Sequence, residues 1–306
     1  MGRKWASHQL RQCYNHIWNG GYSSVAEHRT VAPGVVGSNP TSRPSLHLQR
    51  PANLIATVTE NLQRTSGGSI YVGCSGWAYP SWKPDFYPKE IPSKKFLEHY
   101  ASRLNSVEVN YTFRAVPKRP MIDNWLAQTS DGFRFSFKAP QRITHIKRLN
   151  DCASSLEFFS DAVRPVADAG RMGPVLFQLP PNLKADPGRL AAFLADAKEM
   201  KLRIAFEFRH ASWFDPGIYK LLERCEAALC VAESDELQTP DVQTAAFSCY
   251  RLRQSEYSDS ALDAIAERLG RRAEQGDVFA YFKHEDDPTG AVWAARVLAT
   301  LREPAA

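Results

Sequence analysis

Phe133-Arg134-Phe135-Ser136-Phe137-Lys138-Ala139 alternates aromatic and polar side chains with a strict period of two. Successive residues of a strand point to opposite faces, so the three phenylalanines share one face and Arg134, Ser136 and Lys138 share the other. Arg203-Ile204-Ala205-Phe206-Glu207-Phe208-Arg209 repeats the pattern, with Ile204, Phe206 and Phe208 on one face and Ala205, Glu207 and Arg209 on the other. An apolar face covered by helices, with polar side chains opposite, is what a parallel strand of a closed barrel requires.

Working outward from these two stretches, short apolar runs alternate with helical patterns from Ile70 to the end of the chain. The runs are Ile70–Cys74, Ser106–Asn110, Phe133–Ala139, Val175–Leu179, Arg203–Arg209, Leu229–Ala232, Ala246–Leu252 and Val278–Lys283. Helical candidates are Lys94–Leu104, Met121–Gln128, Ser154–Asp168, Gly188–Ala197, Pro216–Ala227, Ala261–Glu274 and Ala291–Leu301. Eight strands within residues 69–306 predict an α/β fold, a (β/α)8 TIM-like barrel. An open doubly wound sheet is the alternative, because closure is not written in one sequence.

Parity also predicts which side chains meet inside the barrel. Glu108 and Asn110 face inward opposite Val107 and Val109, Gln178 is inward beside Val175 and Phe177, and Arg251 ends the seventh strand. Glu108, Lys138, Glu207, Arg209 and Arg251 come late in their strands, at the C-terminal mouth where barrel enzymes carry their sites. Unpaired burial costs several kcal/mol per charge, so they are expected to pair with one another, with water or with a ligand. Three cations against two carboxylates predict a net positive empty pocket.

The 306 residues carry a formal charge of +5, and residues 1–68 hold all of that excess, so the remainder is neutral. Charge therefore gives no indication of a nucleic-acid partner. No run reaches the roughly 20 apolar residues of a membrane span, and no apolar segment follows Arg3 and Lys4, so a cytoplasmic location and no membrane partner are expected. The six cysteines are scattered without CxxC or zinc-type spacing and read as reduced side chains.

Residues 1–68 show no sustained periodicity and are rich in Gly, Pro, Ser, Thr and Asn between Gly20 and Pro44, so they are expected to be disordered. Ser23–Pro44 also resembles a translated tRNA gene. Gly37-Ser38-Asn39-Pro40 is encodable by the T-arm sequence GGT TCG AAT CCN, and Tyr22-Ser23-Ser24 fits a D-arm. This reading makes the segment a spurious extension, with the true start between Thr57 and Ser69.

From Tyr71 to Leu298 the chain resembles the YecE-like family, domain of unknown function 72. The blocks that carry the likeness are Gly73-Cys74-Ser75-Gly76-Trp77 with Trp82 and Phe86-Tyr87-Pro88, then Val107-Glu108-Val109-Asn110 with Thr112-Phe113, then Lys138 and Ile143-Thr144-His145. Leu176-Phe177-Gln178-Leu179-Pro180-Pro181 and Glu207-Phe208-Arg209 with Ser212-Trp213 complete them. Two stretches depart from the family pattern: Arg251-Leu252-Arg253-Gln254 where many members read Arg-Leu-His-Gly, and Phe282-Lys283-His284 where many read Phe-Asn-Asn. The resemblance implies a barrel with a conserved type of mouth, and no reaction.

Cations beside carboxylates suit a small anionic or sugar-like ligand. The leading expectation is a metal-independent acid/base enzyme with Glu108, Glu207 and Lys138 catalytic. Asn110, His145, Gln178, Arg209, Arg251, Trp77 and Trp213 are the candidate substrate contacts. One alternative is a metal-dependent phosphodiesterase or isomerase of the endonuclease IV or xylose isomerase type, with an ion on Glu108, Glu207 and His145 or Asp235. Lys138, Arg209 and Arg251 would repel such an ion, and no metal ligand is assigned. The other alternative is a non-catalytic ligand-binding module. No dinucleotide, Walker or GxSxG motif occurs in the barrel, and the cofactor is unknown.

Overall fold

The computed structural model describes residues 67–234, 237–283 and 287–302. Eight parallel strands close into a barrel in sequence order: β1 (Ile70–Cys74), β2 (Ser106–Val109), β3 (Arg134–Lys138), β4 (Met172–Gln178), β5 (Ile204–Glu207), β6 (Ala227–Glu233), β7 (Phe247–Leu252) and β8 (Asp277–Phe282). Closure runs through β1 and β8, paired from Ile70 and Val278 to Cys74 and Phe282. The open sheet is thereby excluded. Among the described residues, seven α-helices accompany the strands: α1 (Phe96–Arg103), α2 (Arg119–Ala127), α3 (Ala153–Asp168), α4 (Pro187–Lys198), α5 (Pro216–Arg224), α6 (Asp259–Ala273) and α7 (Thr289–Thr300).

Local chemistry fixes where several helices begin. Asp186 and Asp215 accept the backbone N–H of Arg189 and Gly217, with Pro187 and Pro216 at the first helical position. Ser258 caps α6 through the N–H of Ala261. The fifth helix stops short of the predicted Ala227 because Glu226 takes φ 53°, a left-handed turn from which β6 starts. Between β6 and β7 the described residues form no helix. Arg272 of α6 instead clamps the connection, bonding Gln243 and Asp241, while Thr244 bonds Leu229 N–H and Ala227 carbonyl.

The fourth strand begins three residues earlier than Val175, at Met172, and its register against β3 shifts between Phe135 and Phe137. Gly173 sits at that irregularity, where a Cβ would lie 2.3 Å from Ser136 Oγ. Leu176 then aligns with Lys138, and Gln178 with Glu207.

Two apolar layers result. The outer one, between strands and helices, takes Phe133, Phe135, Phe137, Phe177, Phe206 and Phe208, each at most 1% exposed. A separate inner cluster fills the barrel, including Tyr71, Phe279 and Tyr281. Arg134 and Arg203 lie over the rings of Tyr71 and of Phe247 and Phe279 at the N-terminal end. Tyr281 Oη bonds both Ser106 Oγ (2.8 Å) and Ser136 Oγ (2.6 Å), so the mid-barrel polar side chains satisfy one another.

Gly73 lies against the backbone of β2, and a Cβ there would fall 1.9 Å from Ser106 carbonyl oxygen. Gly73→Ala should therefore cost about 3 kcal/mol through displaced backbone. A chemical-denaturation midpoint within error of wild type would show that β1 and β2 can separate without penalty.

The expectations for residues 1–66 lie outside the described residues. Gly67 and Gly68, placed by the sequence reading in the disordered extension, are described, and Gly68 N–H donates to Ala273 carbonyl at 2.6 Å. No helix among the described residues is long and apolar enough to cross a membrane. Of the five described cysteines, Cys225 is half-buried and the others are buried.

Candidate functional site

The floor of the mouth is an ion network on four strands and the β1 end. Arg251, fully buried on β7, donates Nη2 to Glu108 Oε1 at 2.7 Å and Nη1 to Glu207 Oε2 at 2.5 Å. Gln178 Nε2 donates to both oxygens of Glu207 at 2.9 and 3.0 Å. Ser75 Oγ donates to Glu108 Oε1 at 2.9 Å. Both carboxylates are almost wholly buried, Glu108 at 1% and Glu207 at 3% exposure.

Burial alone raises the Glu207 carboxyl, but Arg251, Arg253 and the hydrogen bonds from Gln178 and Arg251 outweigh it and hold its pKa below the ordinary value. Arg251 responds in kind. Its desolvation is overcome by the two carboxylates, which raise its pKa further and keep it charged. Glu207 therefore has both oxygens occupied, whereas Glu108 Oε2 is buried with no hydrogen-bond partner among the described residues. Asn110 Oδ1 is likewise unpartnered, its Nδ2 donating to Ser75 carbonyl at 3.2 Å.

Lys138 ends β3 half-buried, with its Nζ 4.4 Å from the centroid of the Phe113 ring. No carboxylate lies within ion-pair distance of it among the described residues. Burial and the charge of Arg251 lower its pKa to about 8, against the opposing pull of Glu108 and Glu207. The segment after β3 is a π-helical turn, Arg142–Ile146, which presents His145 edge-on to Phe113 at 5.0 Å. Burial, then Lys138, Arg209 and Arg148, lower the His145 pKa and keep the ring neutral near pH 7. Arg148, Leu149 and Asp151 follow with φ of 49°, 69° and 47°, left-handed conformations that non-glycine residues rarely hold. Their concentration in the loop beside Lys138 is the kind of strain that functional loops store.

Other predicted contacts are placed differently. Arg209 lies two residues past the end of β5 and is exposed, so it joins the rim rather than the buried network. Arg209 is thus outside the buried set, while Arg253, half-buried just past the end of β7, adds its charge to that of Arg251 on Glu207 and Lys138. Trp213 is fully buried, stacked on Phe208 at 4.6 Å, with its N–H donated to Leu183 carbonyl at 2.7 Å. It holds the β5 loop and has no free face for a ligand. Trp82, Phe86 and Tyr87 are likewise core, while Trp77 is half-buried and packs edge-on to Trp125 at 5.5 Å. Asp235 and His284 lie outside the described residues.

Two side chains of the network escaped sequence reasoning. Ser75 shares the inward parity of Tyr71 and Gly73 and could have been found by extending β1 by one residue. Phe113 lies on a short 3-10 turn after β2, where strand parity carries no information.

The sequence profile of the family described as "Protein of unknown function DUF72" matches residues 71–306, which contain every residue of this network. The chain belongs to the DUF72 family. Among its relatives, the UPF0759 protein YecE of Escherichia coli (strain K12) is 34% identical over 150 residues, 48% of this chain and 51% of that protein. The UPF0759 protein YunF of Bacillus subtilis (strain 168) is 30% identical over 156 residues, 49% of this chain and 54% of that protein. The chain thus spans about half the length of the curated relatives it matches. A DUF72 family protein from Thermotoga maritima MSB8 superposes with a TM-score of 0.68 at 24% identity, covering 77% of this chain and all of that one. Its counterpart from Enterococcus faecalis V583 gives 0.62 at 15%, covering 78% and 98%. At these identities the likeness shows the shared barrel fold.

Beside the mouth, a groove of about 470 Å³ runs between the loops after β2 and β3, and Phe113 forms part of its wall. Among the described residues, no three His, Cys, Asp or Glu side chains gather as a metal-binding group.

Proposed function

We propose that the mouth of this DUF72 barrel is a metal-independent acid/base site for a small anionic or sugar-like compound. The observation that carries the reading is the asymmetry of Glu108: one oxygen is fixed by Arg251 and Ser75, and the other is buried, unpartnered and on the strand next to Lys138. A buried carboxylate oxygen without a donor costs free energy unless a ligand or water supplies one. Beside an amine with a pKa of about 8, it forms a pair able to move a proton at neutral pH.

Glu108 and Lys138 are the proton-transferring groups in this account. Glu207 is a positioning residue, because its two oxygens are consumed in holding Arg251 and Gln178. Asn110 contributes a free carbonyl oxygen for a hydroxyl, and Arg209 with neutral His145 receives negative charge at the rim. Trp77 is the half-buried tryptophan of the first loop, Trp82 being sealed in the core.

Calorimetric titration with inorganic phosphate and ribose 5-phosphate tests this. Binding in the millimolar range is expected, weakened roughly fivefold by Arg209→Ala, as the loss of about 1 kcal/mol from one exposed charged contact implies. Glu108→Gln should leave that binding in place. If neither anion binds and Mn2+ or Mg2+ does, a metal-dependent reaction replaces this reading.

A further inference from the structure

We propose that Lys138 is a covalent nucleophile whose amine condenses with the carbonyl carbon of a small anionic aldehyde or ketone held at the mouth, forming a protonated imine. This rests on the acid/base reading of the same site and names its substrate class.

The placement of Lys138 separates it from the other inward cation. Arg251 is locked between two carboxylates, while Lys138 has a ring face as its near neighbour and no carboxylate within ion-pair distance among the described residues. An amine in that position is free to use its lone pair. The groups facing it are Arg251 and Arg253, which disfavour its protonation, and Glu108 and Glu207, which favour it. The balance leaves a substantial neutral fraction near pH 8.

The reaction balances with water alone. The Nζ lone pair attacks the carbonyl carbon, the C=O π pair moves to oxygen, and that oxygen takes the proton released by nitrogen, giving a carbinolamine. A proton taken up from solvent adds to its hydroxyl, so that nitrogen expels water and leaves the iminium. Glu108 Oε2, buried and unpartnered on the neighbouring strand, then removes a proton from the carbon next to the iminium; the C–H pair becomes the C=C bond and the C=N pair moves to nitrogen, giving an enamine. Reprotonation on carbon and addition of the same equivalent of water release the lysine. The iminium carries the same charge as protonated Lys138, which Glu108 and Glu207 favour and which burial, Arg251 and Arg253 oppose.

Two arms test it. Carbon-13 formaldehyde with sodium cyanoborohydride needs no specific recognition, and at pH 7.5 it should label Lys138 at least about tenfold faster than surface lysines, whose amines are almost entirely protonated. Dihydroxyacetone phosphate, ribose 5-phosphate and pyruvate, each trapped with borohydride and mapped by peptide mass, should give an adduct at Lys138 with at least one probe. The adduct should be absent in Lys138→Arg, which keeps the charge and is checked for native thermal unfolding. In D2O that probe should gain deuterium next to its carbonyl, and Glu108→Gln should lose the exchange yet keep the adduct. A Lys138 that formaldehyde does not reach overturns the proposal. Phosphate or ribose 5-phosphate binding without any adduct overturns the imine and leaves the acid/base reading standing, whereas neither binding nor adduct overturns both.

Discussion

Arg251→Met should destabilise the barrel by about 3–5 kcal/mol at pH 7, the cost of leaving buried charges without their counterion. Arg251 is fully buried and holds Glu108 and Glu207 together at 2.7 and 2.5 Å, so its loss strands two carboxylates in the closed interior. The pH dependence should reverse with it. In the wild type the Glu207 pKa is depressed, so its stabilisation is complete above the unfolded value of about 4.3 and is lost as pH falls further through the folded value. Without Arg251, burial should raise the stranded Glu207 carboxyl instead, so the variant should gain stability as pH falls from 8 to 5. Adding Glu108→Gln and Glu207→Gln to Arg251→Met should recover most of the loss. Urea unfolding at pH 5 and 8 measures all of this, and an Arg251→Met protein as stable as wild type at pH 8 would show that the network is dispensable.

Lys138→Met should act in the opposite direction and stabilise the protein. The folded pKa of Lys138 is about 8 against about 10.4 for an unfolded chain. Between those values the unfolded state binds more protons, so wild-type stability rises with pH across that window. Below pH 8 the full cost of holding the charge half-buried is present, roughly 2 kcal/mol after allowance for its partial solvent access. Removing the amine should therefore raise the melting temperature by about 5 °C at pH 7. The gain should shrink as pH rises from about 8 through about 10.4, and vanish only above that, where the wild-type amine is neutral in both states. The same substitution should abolish turnover. A gain that stays constant across this range would assign the effect to packing, and a loss of stability at pH 7 would mean that the charge is welcome where it sits.

Most of the barrel was legible because period-two alternation survives wherever a strand has helices on one side and polar groups on the other. Phe133–Ala139 and Arg203–Arg209 show it directly, and the same parity places Glu108 and Glu207 against Arg251 and Gln178 against Glu207. Parity fails where the strand ends. Arg209 keeps the alternation in sequence, but β5 stops at Glu207 and the next turn carries Arg209 into solvent. The start of β4 was hidden because Gly173 and Pro174 have poor strand propensity, and their place is set by contact with Ser136. Aromatic residues in loops gave no reliable signal. Trp77 and Trp213 look alike in sequence, yet one is half-buried and the other is sealed against Phe208. The cations were identified only in part, with Arg209 included and Arg253 missed, since a count of ionisable residues does not say which of them are desolvated.

The most direct test of the site is the titration of Lys138 itself. Nitrogen-15 lysine labelling, with Lys138→Arg for assignment, follows its Nζ resonance against pH in the absence and presence of inorganic phosphate. The account predicts a midpoint near pH 8 that moves upward when phosphate binds, because an anion beside the amine favours its charged form. A midpoint above 10 that phosphate leaves unchanged would contradict it, since Lys138 would then be an ordinary solvated lysine and the mouth would hold neither the base nor the anion site described.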